Sequence, residues 1–485
     1  MLPRRLLLVP DTGPIFDEQD IYNRLSTLPP KLSFTADRIP PILLRKFALF
    51  FAEPLKFLFE RSYNDGVVPD LFRHGIVTPI FKKGKRDDPG NYRPVTQCSI
   101  VCSIFEKIIA ESITSFATLN NLLDPRQHGL TKFRSTNTQL LHMTQDWALL
   151  INSNTPFHCI YFDQKSAFDK VPHARLLSKL ESLGVKSQTV NWCRDFLKNR
   201  RFSVKINDVL SSSLPAPSGV PQGSCIAPLL YILFVLDIAD AVPPGVEYLI
   251  YADDLKLYCP VTDDTSHDLL QRAVRGIEDW CNTNDMILSA SKCMVLKSRP
   301  DVYEYFINGS SLPVSQSARD LGVELSARLD YSTHILKIVN STRNLVNSIF
   351  RVFVSRRPEL YNELYRSLIE SRFQYCSPVW RPHLKKHIKL LDSVRKRFHR
   401  RLELRCGYSV PSPTSISDLF DEQDLISFFL LRRSDCIDHF LSISAQNLRS
   451  GVTIRTKAVA RTELINNQFS WRIARRFHRQ PPPFC

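Results

Sequence analysis

An α+β fold built on a small antiparallel sheet is predicted by three observations in this chain of 485 residues. Apolar runs, Tyr248-Leu249-Ile250 and Leu255-Lys256-Leu257-Tyr258, flank Tyr251-Ala252-Asp253-Asp254, which reads as a β-hairpin with carboxylates at its tip. Upstream, a second apolar run, Cys159-Ile160-Tyr161-Phe162, ends on Asp163. Helical periodicity fills much of the remaining chain. Aspartate suits tight turns, so the acidic pair alone would be explained by the turn. The second strand ending on an acid changes that balance, because two strands that each deliver carboxylates make a two-metal site.

Taken in order, residues 1 to about 35 carry little information, and their end at Pro29-Pro30 reads as a linker or a fragment edge. From Ile39 to Tyr63 the apolar residues Leu43, Leu44, Phe47, Phe50 and Phe51 recur at helical spacing, as ordinary core packing requires. Gly66 to Pro69 then breaks the helix. A strand from Ile76 runs into the basic turn Lys82-Lys83-Gly84, followed by Asn91-Tyr92-Arg93-Pro94-Val95. Ile100 to Phe116 is an amphipathic helix with Glu106 and Lys107 expected on its solvent face. His128, in Gln127-His128-Gly129-Leu130, is expected to be a structural hydrogen-bonder. Asp169 is expected to cap a helix starting near Ala174.

Ser218-Gly219-Val220-Pro221-Gln222-Gly223-Ser224 places two glycines and a proline around a glutamine, so the backbone can approach a flat ligand while the amide reaches a hydroxyl or base edge. Pro228 to Val235 reads as a buried helix and Asp268 to Trp280 as an amphipathic one. From Leu336 the chain becomes helical and basic. The run Val394 to Arg401, with Phe398 interleaved among cations, suits a phosphate backbone.

Lys and Arg number 64 against 48 Asp and Glu, a net charge of +16, and this points to a polyanionic partner, nucleic acid first. The apolar runs are too short to span a bilayer. Twelve cysteines are scattered without metal-ligand spacing, which predicts buried reduced thiols.

The acidic strands, SGVPQGS between them, the Asn-Tyr-Arg-Pro stretch, the Gln-His-Gly stretch and Phe162-Asp163 to His173 together resemble the reverse transcriptases of LINE-type (non-LTR) retrotransposons over about Ile39 to Phe440. The resemblance implies a right-hand polymerase with α+β fingers and palm and an α-helical thumb. It implies RNA-templated DNA synthesis from deoxynucleoside triphosphates on a DNA or RNA primer. The implied cofactor is a pair of Mg²⁺ ions, with Mn²⁺ as substitute, held by Asp163, Asp253 and Asp254. Arg93, Lys82 and Lys83 would hold the triphosphate, since a guanidinium grips phosphate through two bonds. Phe168 would lie beneath the sugar and crowd a 2′-hydroxyl, Gln222 and Gly223 would line the nucleotide pocket, and Lys292 would protonate the departing pyrophosphate. Asp320-Leu321-Gly322-Val323 resembles a primer-grip turn, its glycine allowing close passage of the primer.

Leu130, Phe133 and Ser166 depart from the family pattern, which has Phe, Gly and Lys there. They keep open a second reading, a decayed or repurposed element product that binds RNA without catalysis. Expected domains are 1–62, an N-terminal extension with a helical segment; 63–305, fingers and palm; 306–405, primer grip and helical thumb; and 406–485, a basic helical segment with a frayed tail. The family often carries an endonuclease ahead of the polymerase, and none of its length is present, which suggests a fragment or shortened descendant. The nucleus or cytoplasm is the expected location, without secretion or membrane insertion. Oligomeric state is not legible.

Overall fold

The computed structural model describes residues 9–32 and 37–433, and the tail expected to fray lies outside them. They form two compact units. The first comprises the described residues up to Asp124, Gln164–Val242 and Arg275–Ser289. Its sheet pairs β1 (His74–Phe81) antiparallel with β2 (Tyr92–Gln97) and parallel with β4 (Arg201–Ile206); β4 also pairs with the short β5 (Val209–Leu210) and β6 (Leu214–Pro215). Helices α1 (Glu18–Ser26), α2 (Pro41–Lys46), α3 (Ala48–Asp65), α4 (Ile100–Leu119), α6 (Ala167–Lys170), α7 (His173–Ser182), α8 (Ser187–Leu197) and α9 (Ala227–Phe234) complete it. Its core is aromatic. Phe59 stacks on Phe105 at 4.5 Å, Phe16 and Trp192 meet Phe105 edge-on, and Trp192 stacks on Phe196.

Local chemistry explains the helix ends, and three expectations change. The stretch before Pro29 is helical: Asp17 caps α1 by accepting from the Asp20 amide, and Ile21 and Leu25 are fully buried. The apolar residues of 39–63 do not all pack. A break at Phe47 separates α2 from α3, Leu44, Leu55 and Phe59 turn inward, and Leu43, Phe47 and Phe50 face solvent. Gly66, at φ +64°, ends α3 in a left-handed cap. Glu106 is buried instead of solvated, because Ser224 Oγ and the amides of Cys225 and Ile226 all donate to it at the start of α9.

The second unit comprises Pro125–Asp163, Pro243–Val274 and the described residues from Ala290 on. Its sheet has the order β12-β9-β3-β8-β7, from Val314–Ser315, Met294–Lys297, Phe157–Phe162, Asp254–Pro260 and Glu247–Tyr251. The four strands β9, β3, β8 and β7 are antiparallel; β12 joins β9 in parallel. The small antiparallel sheet thus carries one parallel edge, since the intervening β10 (Phe306–Ile307) and β11 (Ser310–Ser311) hairpin lets the chain return in the same direction. A further hairpin pairs β13 (Ser317–Asp320) with β14 (Val323–Ser326).

Helix α5 (Thr136–Asn152), opened by a Ser135/Thr138 capping box, buries Trp147 against Phe157 and Tyr258. The helical part holds α11 (Ser332–Val352), α12 (Pro358–Tyr365), a π-helical turn at Arg366–Glu370, α13 (Ser371–Gln374), α14 (Ser377–Trp380), α15 (Lys385–Cys406) and α16 (Ile416–Arg433). Phe398 does not stand beside the exposed cations of its run, where the sequence reading placed it for contact with a phosphate backbone. It is fully buried against Phe350 and Tyr365, because it lies on the apolar stripe of α15 with Leu391, Val394 and Leu402. Lys396, Arg397 and Arg400 are the exposed cations of that run. Helix α10 (Asp264–Thr283) contributes residues to each unit. Among the described residues no helix is long and apolar enough to cross a membrane.

Candidate active site

The β7–β8 hairpin pairs Tyr251 with Asp254, leaving Ala252 and Asp253 as its two-residue tip, with Ala252 at φ +57°. Strand β3 runs antiparallel to β8 with Phe162 opposite Leu255, so Asp163 leaves β3 at the sheet end where Asp253 and Asp254 lie. The register thereby brings all three predicted carboxylates to one edge of one unit. Lys292 joins them, its Nζ 3.1 Å from Asp163 Oδ2. That pair is solvent-exposed and holds the lysine loosely.

The Asp254 carboxyl is pushed up to about 6, by burial first and then by the negative charges of Asp253, Asp320 and Asp163, against Lys256. Asp254 nevertheless counts as exposed by its accessible surface. The crowding of carboxylates is therefore the firmer cause, and it gives the direction. A hard divalent cation takes oxygen ligands and would relieve that excess of negative charge, so the donor set fits such an ion. Among the described residues no three His, Cys, Asp or Glu side chains have already converged as a metal cluster.

The tip is braced by residues whose roles the sequence left unread. Ile250 donates its amide to Arg126 O and accepts from the His128 amide, while Gln127 Oε1 accepts from Gly129 and Ala252 at 2.8 and 3.0 Å. A Cβ on Gly129 would lie 2.2 Å from the Ala252 nitrogen, so only glycine allows this approach. His128 is the expected structural hydrogen-bonder: it is fully buried, its Nδ1 is 2.9 Å from Thr138 Oγ1, and burial lowers its pKa to about 2. On β8, Lys256 pairs with Asp320 at the foot of the β13–β14 turn, both buried. Tyr375 Oη donates to Leu321 O at 2.7 Å, and its ring packs over Gly322, whose φ is +87°. Gly322 therefore already has a neighbour, the Tyr375 ring, on its open side. A lysine inside a buried strand, as in Leu255-Lys256-Leu257, was the one available signal for the ion pair.

The other predicted site residues lie in the first unit. Arg93 is exposed on β2 opposite Ile80, and Lys82 and Lys83 follow the end of β1 on the same hairpin, with the Lys82 amide bonded to Asn91 O. Phe168 is half-buried and stacks on Tyr231 at 4.3 Å. Asp169 does not cap the following helix, whose N-cap is Pro172 with no side-chain bond. Its carboxylate accepts instead from Gln222 Nε2 at 2.9 Å, and burial raises its pKa while that bond and Lys82 lower it. Gly223, at φ +129°, lies so close to Thr96 O that a Cβ would stand 2.0 Å away.

Leu130, Phe133 and Ser166, the three departures from the family pattern, have φ of +59°, +64° and +55°. Such angles are uncommon for residues other than glycine, and Phe133 stands where the pattern has glycine.

Residues 80–325 match the family model described as reverse transcriptase (RNA-dependent DNA polymerase). The chain is 28% identical to a probable RNA-directed DNA polymerase from transposon X-element of Drosophila melanogaster, over 73% of this chain and 40% of that protein. It is 24% identical to a probable RNA-directed DNA polymerase from transposon BS of the same organism, over 89% of this chain and 49% of that one. It is 24% identical to the RNA-directed DNA polymerase from its mobile element jockey, over 79% and 43%. The chain thus spans less than half the length of each of these relatives. Among solved structures it is similar to telomerase from Candida albicans, at 12% identity over 87% of this chain and 78% of that one, with a TM-score of 0.36 that is too low to argue from. From the family match and the motifs at its carboxylate edge, the chain belongs to the reverse transcriptase (RNA-dependent DNA polymerase) family, with relatives among the polymerases of non-LTR retrotransposons.

Proposed function

We propose that this chain is an RNA-directed DNA polymerase of a non-LTR retrotransposon, extending a primer 3′-hydroxyl with deoxynucleotides along an RNA template. The observation that carries the reading is that the β3–β8–β7 register brings Asp163, Asp253 and Asp254 to the same end of one sheet. These three side chains would hold divalent ions, Mg²⁺ or Mn²⁺, which when bound supply activation of the attacking hydroxyl and neutralisation of the leaving pyrophosphate.

The remaining roles belong to the chain itself. Arg93, with Lys82 and Lys83, grips the triphosphate, and the planar guanidinium does so through paired hydrogen bonds. Phe168, set by its stack on Tyr231, bears on the sugar and excludes a 2′-hydroxyl. Gln222 and Gly223 form the pocket wall, and Lys292 delivers a proton to the departing group. Residues 63–305 serve as fingers and palm and 306–405 as primer grip and thumb. The net charge of +16 supports a nucleic-acid partner held through phosphates.

Primer extension on poly(rA)/oligo(dT) with Mg²⁺ or Mn²⁺ tests this reading. Wild type extends and Asp253→Asn falls to background. The left-handed backbone at Leu130, Phe133 and Ser166 favours the second reading, an RNA-binding product without catalysis. Salt-sensitive RNA binding by a folded wild type that extends no primer with either metal would select it.

A further inference from the structure

Helices α2 and α3 are apolar on two opposite faces. Leu44, Ala48, Ala52, Leu55 and Phe59 form the inner face, which is buried in the first unit, with Phe59 stacked on Phe105. Leu43, Phe47, Phe50, Pro54 and Phe57 form the outer face and recur at spacings of four, three, four and three residues, the period of a seam between two helices. The junction at Phe47 does not interrupt this stripe. Phe47 donates its amide to Leu43 O at 3.0 Å and Phe51 to Phe47 O at 3.1 Å, and the Phe47 and Phe50 rings lie 6.4 Å apart. Phe50 is 73% exposed and Phe57 64%. A fully open phenylalanine shows about 200 Å², so the stripe with the adjoining Leu58 leaves roughly 500 Å² of contiguous apolar surface in water. With a polar rim around it, that area approaches the roughly 800 Å² that each partner brings to a stable interface. A helix that is apolar all round is covered on both sides, and the fold covers only one.

The charges beside the stripe point to its occupant. Lys46 and Glu53 stand seven residues apart on the same flank, both exposed, and neither makes an ion pair or a side-chain hydrogen bond among the described residues. The next charges along α3 are already satisfied, Lys56 with Glu60 at 2.9 Å and Arg61 with Asp65 at 3.5 Å. A flank with one cation and one anion offers no excess of positive charge to a phosphate backbone or an anionic membrane. It is complementary to itself. When two such faces pack antiparallel about a two-fold axis at Phe50, Lys46 of each copy lies opposite Glu53 of the other, Phe50 meets Phe50, and Leu43 meets Phe57. We propose that the outer face of α2 and α3 is the contact between two copies of this chain, packed antiparallel about that axis. The inference stands apart from the polymerase reading and goes beyond it.

The test is the mass of the full chain in solution, measured by sedimentation equilibrium at micromolar concentration for wild type, Phe50→Asp, Lys46→Glu and Glu53→Lys. Wild type should sediment as a dimer. Phe50→Asp should be a monomer with an unchanged urea midpoint, because the ring it removes contributes to the contact and not to the core. Each charge variant sets like charges opposite each other at both symmetry-related places, so its dimer should dissociate about tenfold more readily. An equimolar mixture of Lys46→Glu with Glu53→Lys restores both pairs across the two-fold axis and should return to the wild-type dissociation constant, as should the double variant. No partner other than a second copy predicts that rescue. A wild type that stays monomeric overturns the proposal, and so does a dimer that Phe50→Asp leaves intact. If Phe50→Asp does not fold, the mixture decides: association no tighter than that of either charge variant alone overturns the antiparallel pairing and the proposal with it.

Discussion

Gly129 is the residue under the tightest steric demand, since any side chain there must displace the backbone of the carboxylate-bearing tip. Gly129→Ala is expected to cost about 1–3 kcal/mol, seen as a lower urea midpoint, and to depress extension beyond what the stability loss explains. Phe133 makes the opposite case. A bulky residue at φ +64° carries roughly 1–2 kcal/mol of backbone strain, and glycine gives back about half of that in unfolded-chain entropy. Phe133→Gly should therefore raise unfolding stability by roughly 0.5–1 kcal/mol, and an unchanged or lower urea midpoint would show that the ring's packing outweighs the strain. At this scale the placement of Asp163, Asp253 and Asp254 at strand ends was legible, because acids at the ends of apolar runs stand out. It hid Gln127, Gly129 and Asp169, whose work is done through partners that only the folded backbone brings near.

Among the elements, the β13–β14 hairpin is fastened to β8 by the buried Lys256–Asp320 pair. Removing one partner leaves a charge in the core, so Asp320→Ala should cost about 3–5 kcal/mol. The double change Lys256→Met with Asp320→Leu should recover most of that loss in chemical denaturation, because neither charge then remains. An additive loss would mean that the surrounding packing, not the pair, carries the energy. Strand and helix types were largely readable from periodicity. Facing was less so: α3 shows the right spacing yet presents Phe50 and Phe57 to solvent, and α4 hides Glu106. Periodicity finds a stripe and leaves open which neighbour covers it. A glutamate within Ile104-Phe105-Glu106 and Ile108-Ile109 satisfies its charge with amides far along the chain.

For the whole molecule, acid is the clearest lever. Burial lowers the pKa of His128 to about 2 and of His334 to about 4, and also lowers that of His158. Each is held neutral in the fold and titrates near 6.5 when unfolded, so the unfolded chain binds more protons below that pH. Stability should be full above about pH 6.5 and fall below it, by up to roughly 1.4 kcal/mol per pH unit for each histidine until its folded pKa is reached. Asp254 acts in the reverse sense, its raised carboxyl favouring the fold most at low pH and losing that contribution as pH rises through about 6. A urea-unfolding series from pH 7.5 to 4.5 should show the histidines prevailing, and His128→Gln should flatten the slope. The polymerase class was legible from motif order, whereas the division into two units of discontinuous segments was not, since strand pairing across distant stretches sets it. Of the ten cysteines among the described residues all but Cys225 are buried, with burial pushing Cys98, Cys193 and Cys259 up to about 12. The nine buried thiols therefore act as a built-in clock: a brief pulse of alkylating reagent passes over them in the folded units and marks them once these have opened, so the mass gained on their own peptides counts the openings without any engineered probe.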